Sequence, residues 1–179
     1  MERLKQKYAL DIQWRAFELR PPGSPPMTSE FKAYVEKARP HLIDRARREY
    51  GLNLNIGPFD IDTRPALIGE QVAQRQGLGN AYHDAVAQAY WAKGCNISDR
   101  DLLADLAASV GLDRAAFLVA LDDPAYQQAM LNDVRTAHTY GLTGVPALVF
   151  DDKYLVVGAQ PISILEQVVR RCQEERELA

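Results

Sequence analysis

Gly141-Leu142-Thr143-Gly144-Val145-Pro146-Ala147-Leu148-Val149-Phe150, followed by Lys153-Tyr154-Leu155-Val156-Val157-Gly158-Ala159-Gln160, is the stretch whose reading decides the fold. Ala147 to Phe150 and Tyr154 to Val157 are β-rich runs, and Asp151-Asp152-Lys153 between them has the length and composition of a tight hairpin turn. Pro146 stands at the mouth of that hairpin. A proline has no N–H to donate to a ladder, so this position opens an edge rather than continuing a sheet. Beyond Gly158, Pro161 opens a helix whose Ile162, Leu165, Val168, Val169 and Cys172 recur at helical spacing and face the sheet.

Upstream of the hairpin the punctuation marks a block of short helices. Asp62 caps a helix running to Gln76 that Gly77 ends, and Asn80 starts another with Tyr82, Ala85, Val86, Ala89 and Tyr90 on one face, closed by Gly94. Ser98-Asp99-Arg100-Asp101 resembles a capping box, with Ile97 placed to staple against Leu102 and Gly111 ending that helix. Asp113 and Asp123-Pro124 supply two further starts, the second with proline at the first helical position. The last helix turns Tyr126, Ala129, Met130, Val134 and Ala137 inward and stops at Gly141.

The N-terminal part reads differently. Residues 2 to 8 look like the end of a helix. Leu10 to Leu19 alternates Leu10, Ile12, Trp14 and Ala16 against Asp11, Gln13 and Arg15, the pattern of a half-buried strand. Pro21-Pro22-Gly23-Ser24-Pro25-Pro26 is an exposed connector. Phe31, Tyr34, Val35, Ala38, Leu42, Ile43, Ala46 and Tyr50 then recur at helical spacing up to Gly51, with Pro40 expected to kink or split that helix.

Composition narrows the function classes. With 179 residues, 47% hydrophobic and 25% charged, the chain can bury one core or a core and a small subdomain. A net charge of −3 and a pI near 5.6 provide no field to gather nucleic acid. No apolar run approaches the roughly 20 residues that span a bilayer. The N-terminus lacks the apolar core of a secretory signal, and with two cysteines the expected compartment is the cytoplasm.

The reactive side chains form no catalytic constellation. There is no Cys-x-x-Cys. Cys95 falls in a loop between helices, as a small loop residue or as the one thiol placed for a redox role. Cys172 shares an apolar helix face as a buried inert thiol. His41, His83 and His138 stand on separate helices without metal-ligand spacing, and read as helix-surface residues. The basic cluster Arg45, Arg47 and Arg48 is interspersed with Asp44 and Glu49 and reads as a solvated face. Gly77-Leu78-Gly79 follows no strand and is no phosphate loop. No catalytic residue, metal ligand or cofactor site is assigned.

Several of these stretches carry a family resemblance. Trp14-Arg15-Ala16-Phe17-Glu18-Leu19, Asp62-Thr63-Arg64-Pro65-Ala66-Leu67, Ala89-Tyr90-Trp91, Leu102-Leu103-Ala104-Asp105-Leu106-Ala107, Gly144-Val145-Pro146 and Gly158-Ala159-Gln160 together resemble the DsbA-like thioredoxin-fold proteins of the FrnE branch. The resemblance implies an α/β thioredoxin-like fold with a helical insertion. The thioredoxin-like part would comprise residues 1–61 and 141–179, and the inserted helical subdomain residues 62–140. It also implies a cis bond at Val145–Pro146, with Gly144, Val145 and Pro146 contacting an extended peptide through the Val145 backbone. Protein or peptide thiol/disulfide substrates follow from it.

In that family a Cys-Pro-x-Cys dithiol lies between the first strand and the first helix, a segment not found in this sequence. The expectation is a truncated form of a thiol-disulfide oxidoreductase, lacking the usual first strand. An alternative is a non-redox peptide-binding or assembly module using the Val145–Pro146 loop. Glutathione-dependent isomerases and kappa-class transferases form a third class. An absent interior strand leaves unpaired N–H and C=O groups on its neighbours. The Leu10 to Leu19 strand is therefore expected to shift onto the hairpin, or a second chain to supply an edge and make a homodimer.

Overall fold

The structure, a computed structural model, describes residues 1–178. The chain divides into two compact units, residues 13–134 and residues 1–12 with 135–179. The first unit is helical. It holds α2 (Ser29–Tyr50), α3 (Arg64–Arg75), α4 (Gly79–Trp91), α5 (Arg100–Ser109), α6 (Arg114–Ala120) and most of α7 (Pro124–Thr139).

Side-chain caps set these helix starts. The Asp99 carboxylate accepts from the Asp101 and Leu102 N–H groups, and Asp113 accepts from Ala116 N–H at 2.7 Å. Asp123 receives the Ala125 N–H as Pro124 enters α7. Asp62 receives the Arg64 N–H just ahead of α3, whose N-cap is Thr63 and makes no side-chain cap bond. At α5 the cap is Asp99 and not the first residue of the expected box, because Ser98 is held by Asn96. α2 passes through Pro40 as one continuous helix. Only one bond of a ladder is lost there, and the Thr28 cap and the flanking turns carry it.

The apolar positions of these helices meet in one core. Ala66, Ile68, Val72 and Ala73 from α3, Tyr82 from α4, Leu103, Ala104 and Ala107 from α5, Phe117 from α6 and Met130 from α7 are buried together with Ala16. Each large side chain there contributes about 1.5–3 kcal/mol on leaving water. The loop before α3 closes the end of α4: Asn55 N–H and Gly57 N–H donate to the Trp91 and Tyr90 carbonyls, which the helix itself leaves without partners.

The second unit holds α1 (Glu2–Lys7), β1 (Ala147–Phe150), β2 (Tyr154–Val157) and α8 (Ile162–Glu177). β1 and β2 pair antiparallel with Ala147 opposite Val157 and Phe150 opposite Tyr154. Leu4, Val169 and Cys172 are buried. The Tyr154 hydroxyl meets the Glu175 carboxylate and accepts from Arg171 Nε, which fastens the hairpin to α8.

The hairpin turn stands on two residues in the left-handed region, Asp151 (φ 51°) and Asp152 (φ 54°). Aspartate tolerates this conformation less well than glycine. Asp151 earns its place by pairing with Arg176, whereas Asp152 is exposed. Asp152→Gly should raise stability by about 0.5–1 kcal/mol, measured by urea unfolding.

One expectation about the sheet is corrected. Among the described residues the sheet has two strands, β1 and β2, and residues 10–18 make no ladder. The segment neither pairs as a strand nor shifts onto the hairpin. The alternation survives as burial, with Ile12, Trp14 and Ala16 turned in against exposed Asp11, Gln13 and Arg15. Its backbone is met by side chains instead. Trp14 C=O accepts from Gln74 Nε2 at 2.7 Å, and Ala16 N–H donates to Asp133 Oδ2 at 3.1 Å.

Candidate functional site

The hairpin mouth is built from the bottom by three features. The α7 helix ends before Gly141, the Val145–Pro146 peptide bond is cis, and Gly158 leaves β2 with φ 80° so that its N–H donates to Pro146 C=O at 2.8 Å. That bond fixes which groups face outward. In an antiparallel pair, directly opposed residues alternate between bonding each other and pointing away. With Pro146 opposite Gly158 in the bonding set, Ala147 and Val149 of β1 aim their N–H and C=O groups at the free edge.

The side chains beside this edge are apolar and open. Val145 is 55% exposed, and Val149, Leu155 and Val157 share one hairpin face at 38%, 43% and 55% exposure. The other face, with Leu148, Phe150, Tyr154 and Val156, is half-buried. Gly144 adds no side chain, and a Cβ placed there would meet nothing within 4 Å. The Gly144-Val145-Pro146 stretch is thus an accessible, uncharged lip next to a row of backbone groups that pair with no further strand among the described residues.

Neither cysteine belongs to this lip by its setting. Both are free thiols. Cys172 is buried on α8, and burial, aided by the Asp151 and Glu175 charges, pushes its thiol up and away from the reactive thiolate. Cys95 follows the C-terminal end of α4, where its N–H donates to the Ala89 carbonyl. A helix N-terminus, with free N–H groups to hold a thiolate, is what a nucleophilic cysteine needs. No cluster of three His, Cys, Asp or Glu side chains that could hold a metal occurs among the described residues, and no helix is long and apolar enough to cross a membrane.

A polar group in the helical unit escapes sequence reading. Asp133 is buried on α7, where Arg15 Nη1, Ala16 N–H and Gln71 Nε2 all donate to it. His83, expected on a helix surface, stacks on Trp14 with ring centroids 3.7 Å apart and planes within 5°. Its Nδ1 lies 3.4 Å from the buried carboxylate of Glu70. Helical periodicity reports which face a residue occupies, and no local pattern reports a partner dozens of residues away.

A family model described as the DSBA-like thioredoxin domain matches residues 1–170. The protein YwbO of Bacillus subtilis is 29% identical over 174 residues, spanning 93% of this chain and 84% of its own length. A probable DsbA oxidoreductase from Streptomyces coelicolor superposes with a TM-score of 0.75 at 28% identity, over 90% of this chain and 74% of its own. A 2-hydroxychromene-2-carboxylate isomerase superposes with a TM-score of 0.81 at 24% identity, over 99% of this chain and 89% of its own, a likeness of fold.

Proposed function

The chain belongs to the DSBA-like thioredoxin domain family, and from that membership we propose that it serves thiol-disulfide exchange as the part that holds the substrate. In this reading Gly144, Val145 and Pro146 receive an extended protein or peptide segment, and the dithiol chemistry of the family is carried by neither Cys95 nor Cys172. Residues 62–140 act as the inserted helical subdomain, and residues 1–61 with 141–179 as the thioredoxin-like part, in the manner of the FrnE branch.

The observation that carries the reading is the outward row of backbone groups at Ala147 and Val149, continuing from an exposed Val145. An extended peptide satisfies such a row by adding a strand, with main-chain bonds for affinity and apolar contacts for selection. Nothing in the lip selects for charge, so an apolar unfolded segment is the fitting occupant.

Val145→Asp places a charge at the lip, the device by which natural edges refuse a strand. Binding of an unfolded apolar peptide should weaken about tenfold, or about 1.4 kcal/mol. Val119→Asp, at a 74% exposed position on α6, is the control and should leave affinity unchanged. Equal affinity of the Val145→Asp and unaltered proteins, measured by titration calorimetry, contradicts the assignment. Insulin reduction by this chain that disappears with Cys95→Ser would return the redox role to Cys95.

A further inference from the structure

α2 is apolar on two sides. Val35, Ile43 and Ala46 turn toward their own chain, and among them Arg39 donates from Nη2 to Gly57 C=O at 3.0 Å with its guanidinium over the Phe59 ring. A helix held on one face needs a single apolar stripe, with polar residues opposite. On α2 a second stripe runs beside the first. Phe31, Tyr34, Ala38, Leu42, Arg45 and Glu49 follow one another at steps of three and four and so form one line along the helix. Phe31 is 49% exposed, Tyr34 67% and Leu42 46%, and the two rings have centroids 6.4 Å apart. Large apolar side chains gathered in the open along one line mark an interaction surface.

The order of residues along this stripe is self-complementary. Ala38 stands near the middle of α2 and carries a small side chain, so two helix axes can approach closely there. When a second copy of the helix is laid antiparallel with a two-fold axis at Ala38, residues equally far before and after it meet. Tyr34 then faces Leu42 of the second copy, and the Phe31 ring faces the Arg45 guanidinium. Charge agrees on the flank: Glu30, in the first turn of α2, comes beside Arg48 of the second copy, in the last. Within one chain neither of these two meets a side chain of opposite charge among the described residues, whereas Lys32, Arg39 and Arg45 are matched by Asp60, Glu36 and Glu49. A parallel pair would instead set Arg45 against Arg45 and Glu49 against Glu49.

We propose that α2 is a homodimerisation surface, on which two copies of this chain pair antiparallel through Phe31, Tyr34, Ala38 and Leu42. The helix is about 33 Å long. One pair of that length buries an area at the low end of specific interfaces, about 1,200 Å² in total, so the dimer is of micromolar strength. The pairing uses no group of the hairpin mouth and stands or falls apart from the peptide site.

Sedimentation velocity of the full chain between about 1 and 300 µM tests it. The weight-average mass should rise from 20.0 kDa toward twice that value. Ala38→Glu sets two carboxylates together at the axis, and Tyr34→Glu sets a charge against Leu42; each should weaken self-association at least about tenfold. Glutamate is a good helix former, so both variants keep α2. Glu30→Arg and Arg48→Glu should each weaken the dimer alone, and an equal mixture of the two should recover it, because every flank pair then joins opposite charges. A protein that stays monomeric at the highest concentration overturns the proposal. So does a dimer that Ala38→Glu and Tyr34→Glu leave intact, or a mixture that associates no better than its components. Binding of phosphatidylglycerol vesicles by a monomer, lost in Tyr34→Glu, would give the face to a membrane surface and equally overturns it.

Discussion

Asp133→Ala should destabilise the protein by about 2–5 kcal/mol, because two buried donors lose their acceptor at once. Ala16 N–H and Gln71 Nε2 both reach Asp133 Oδ2, at 3.1 and 2.9 Å, and Gln71 and Asp133 are each 7% exposed. Each orphaned donor costs about 1–3 kcal/mol. The Arg15 contact at 3.2 Å adds little, since that guanidinium is 61% exposed and water screens the pair. Asp133→Asn keeps an acceptor for Ala16 and should cost less. Urea unfolding gives both values; a loss below about 1 kcal/mol for the alanine variant would mean that the segment repacks without this anchor.

Gly69→Ala is the second large effect. A Cβ on Gly69 would sit 2.4 Å from Tyr82 Oη and 2.6 Å from Phe117 Cζ, in the middle of the buried α3, α4 and α6 contact. Overpacking of a rigid core costs about 1–3 kcal/mol and more where ring atoms cannot yield. Tyr82 makes the cycle informative. Its hydroxyl is fully buried without a hydrogen-bond partner among the described residues, and burial holds it firmly in the neutral form. Tyr82→Phe should therefore be neutral or stabilising by up to about 1 kcal/mol, since a buried hydroxyl without a partner gives nothing back for its lost hydration. Combined with Gly69→Ala it should recover part of the loss, the Phe117 clash remaining. Strict additivity in thermal unfolding would show that Tyr82 Oη is not what Gly69 accommodates.

The elements legible in the sequence are those whose signals are local. The hairpin runs Ala147–Phe150 and Tyr154–Val157, the caps at Asp113 and Asp123, and the start of α8 at Pro161 all stand where spacing and turn chemistry put them. The resemblance to DsbA-like proteins is matched by the family model and by the superposed structures. What escaped was non-local. The alternation at residues 10–18 signals a half-buried extended chain, and a period of two is equally satisfied by strand pairing or by side-chain anchors from Gln74 and Asp133. Of the kink or split expected at Pro40, the split is absent: α2 runs as one helix through it, since the loss of one bond does not outweigh a capped helix of 22 residues. Asp133 and Glu70 carry no local signal of their burial, because a buried carboxylate is recognised only by the groups that meet it.

The edge at the hairpin mouth is tested most directly by backbone amide shifts in the NMR spectrum during titration with an unfolded, cysteine-free apolar peptide. The expected result is a contiguous set of shifts at Val145, Ala147 and Val149, lost in Val145→Asp. Shifts centred elsewhere, for example on the exposed Phe31 and Tyr34 of α2, or none at all at millimolar peptide, would contradict it.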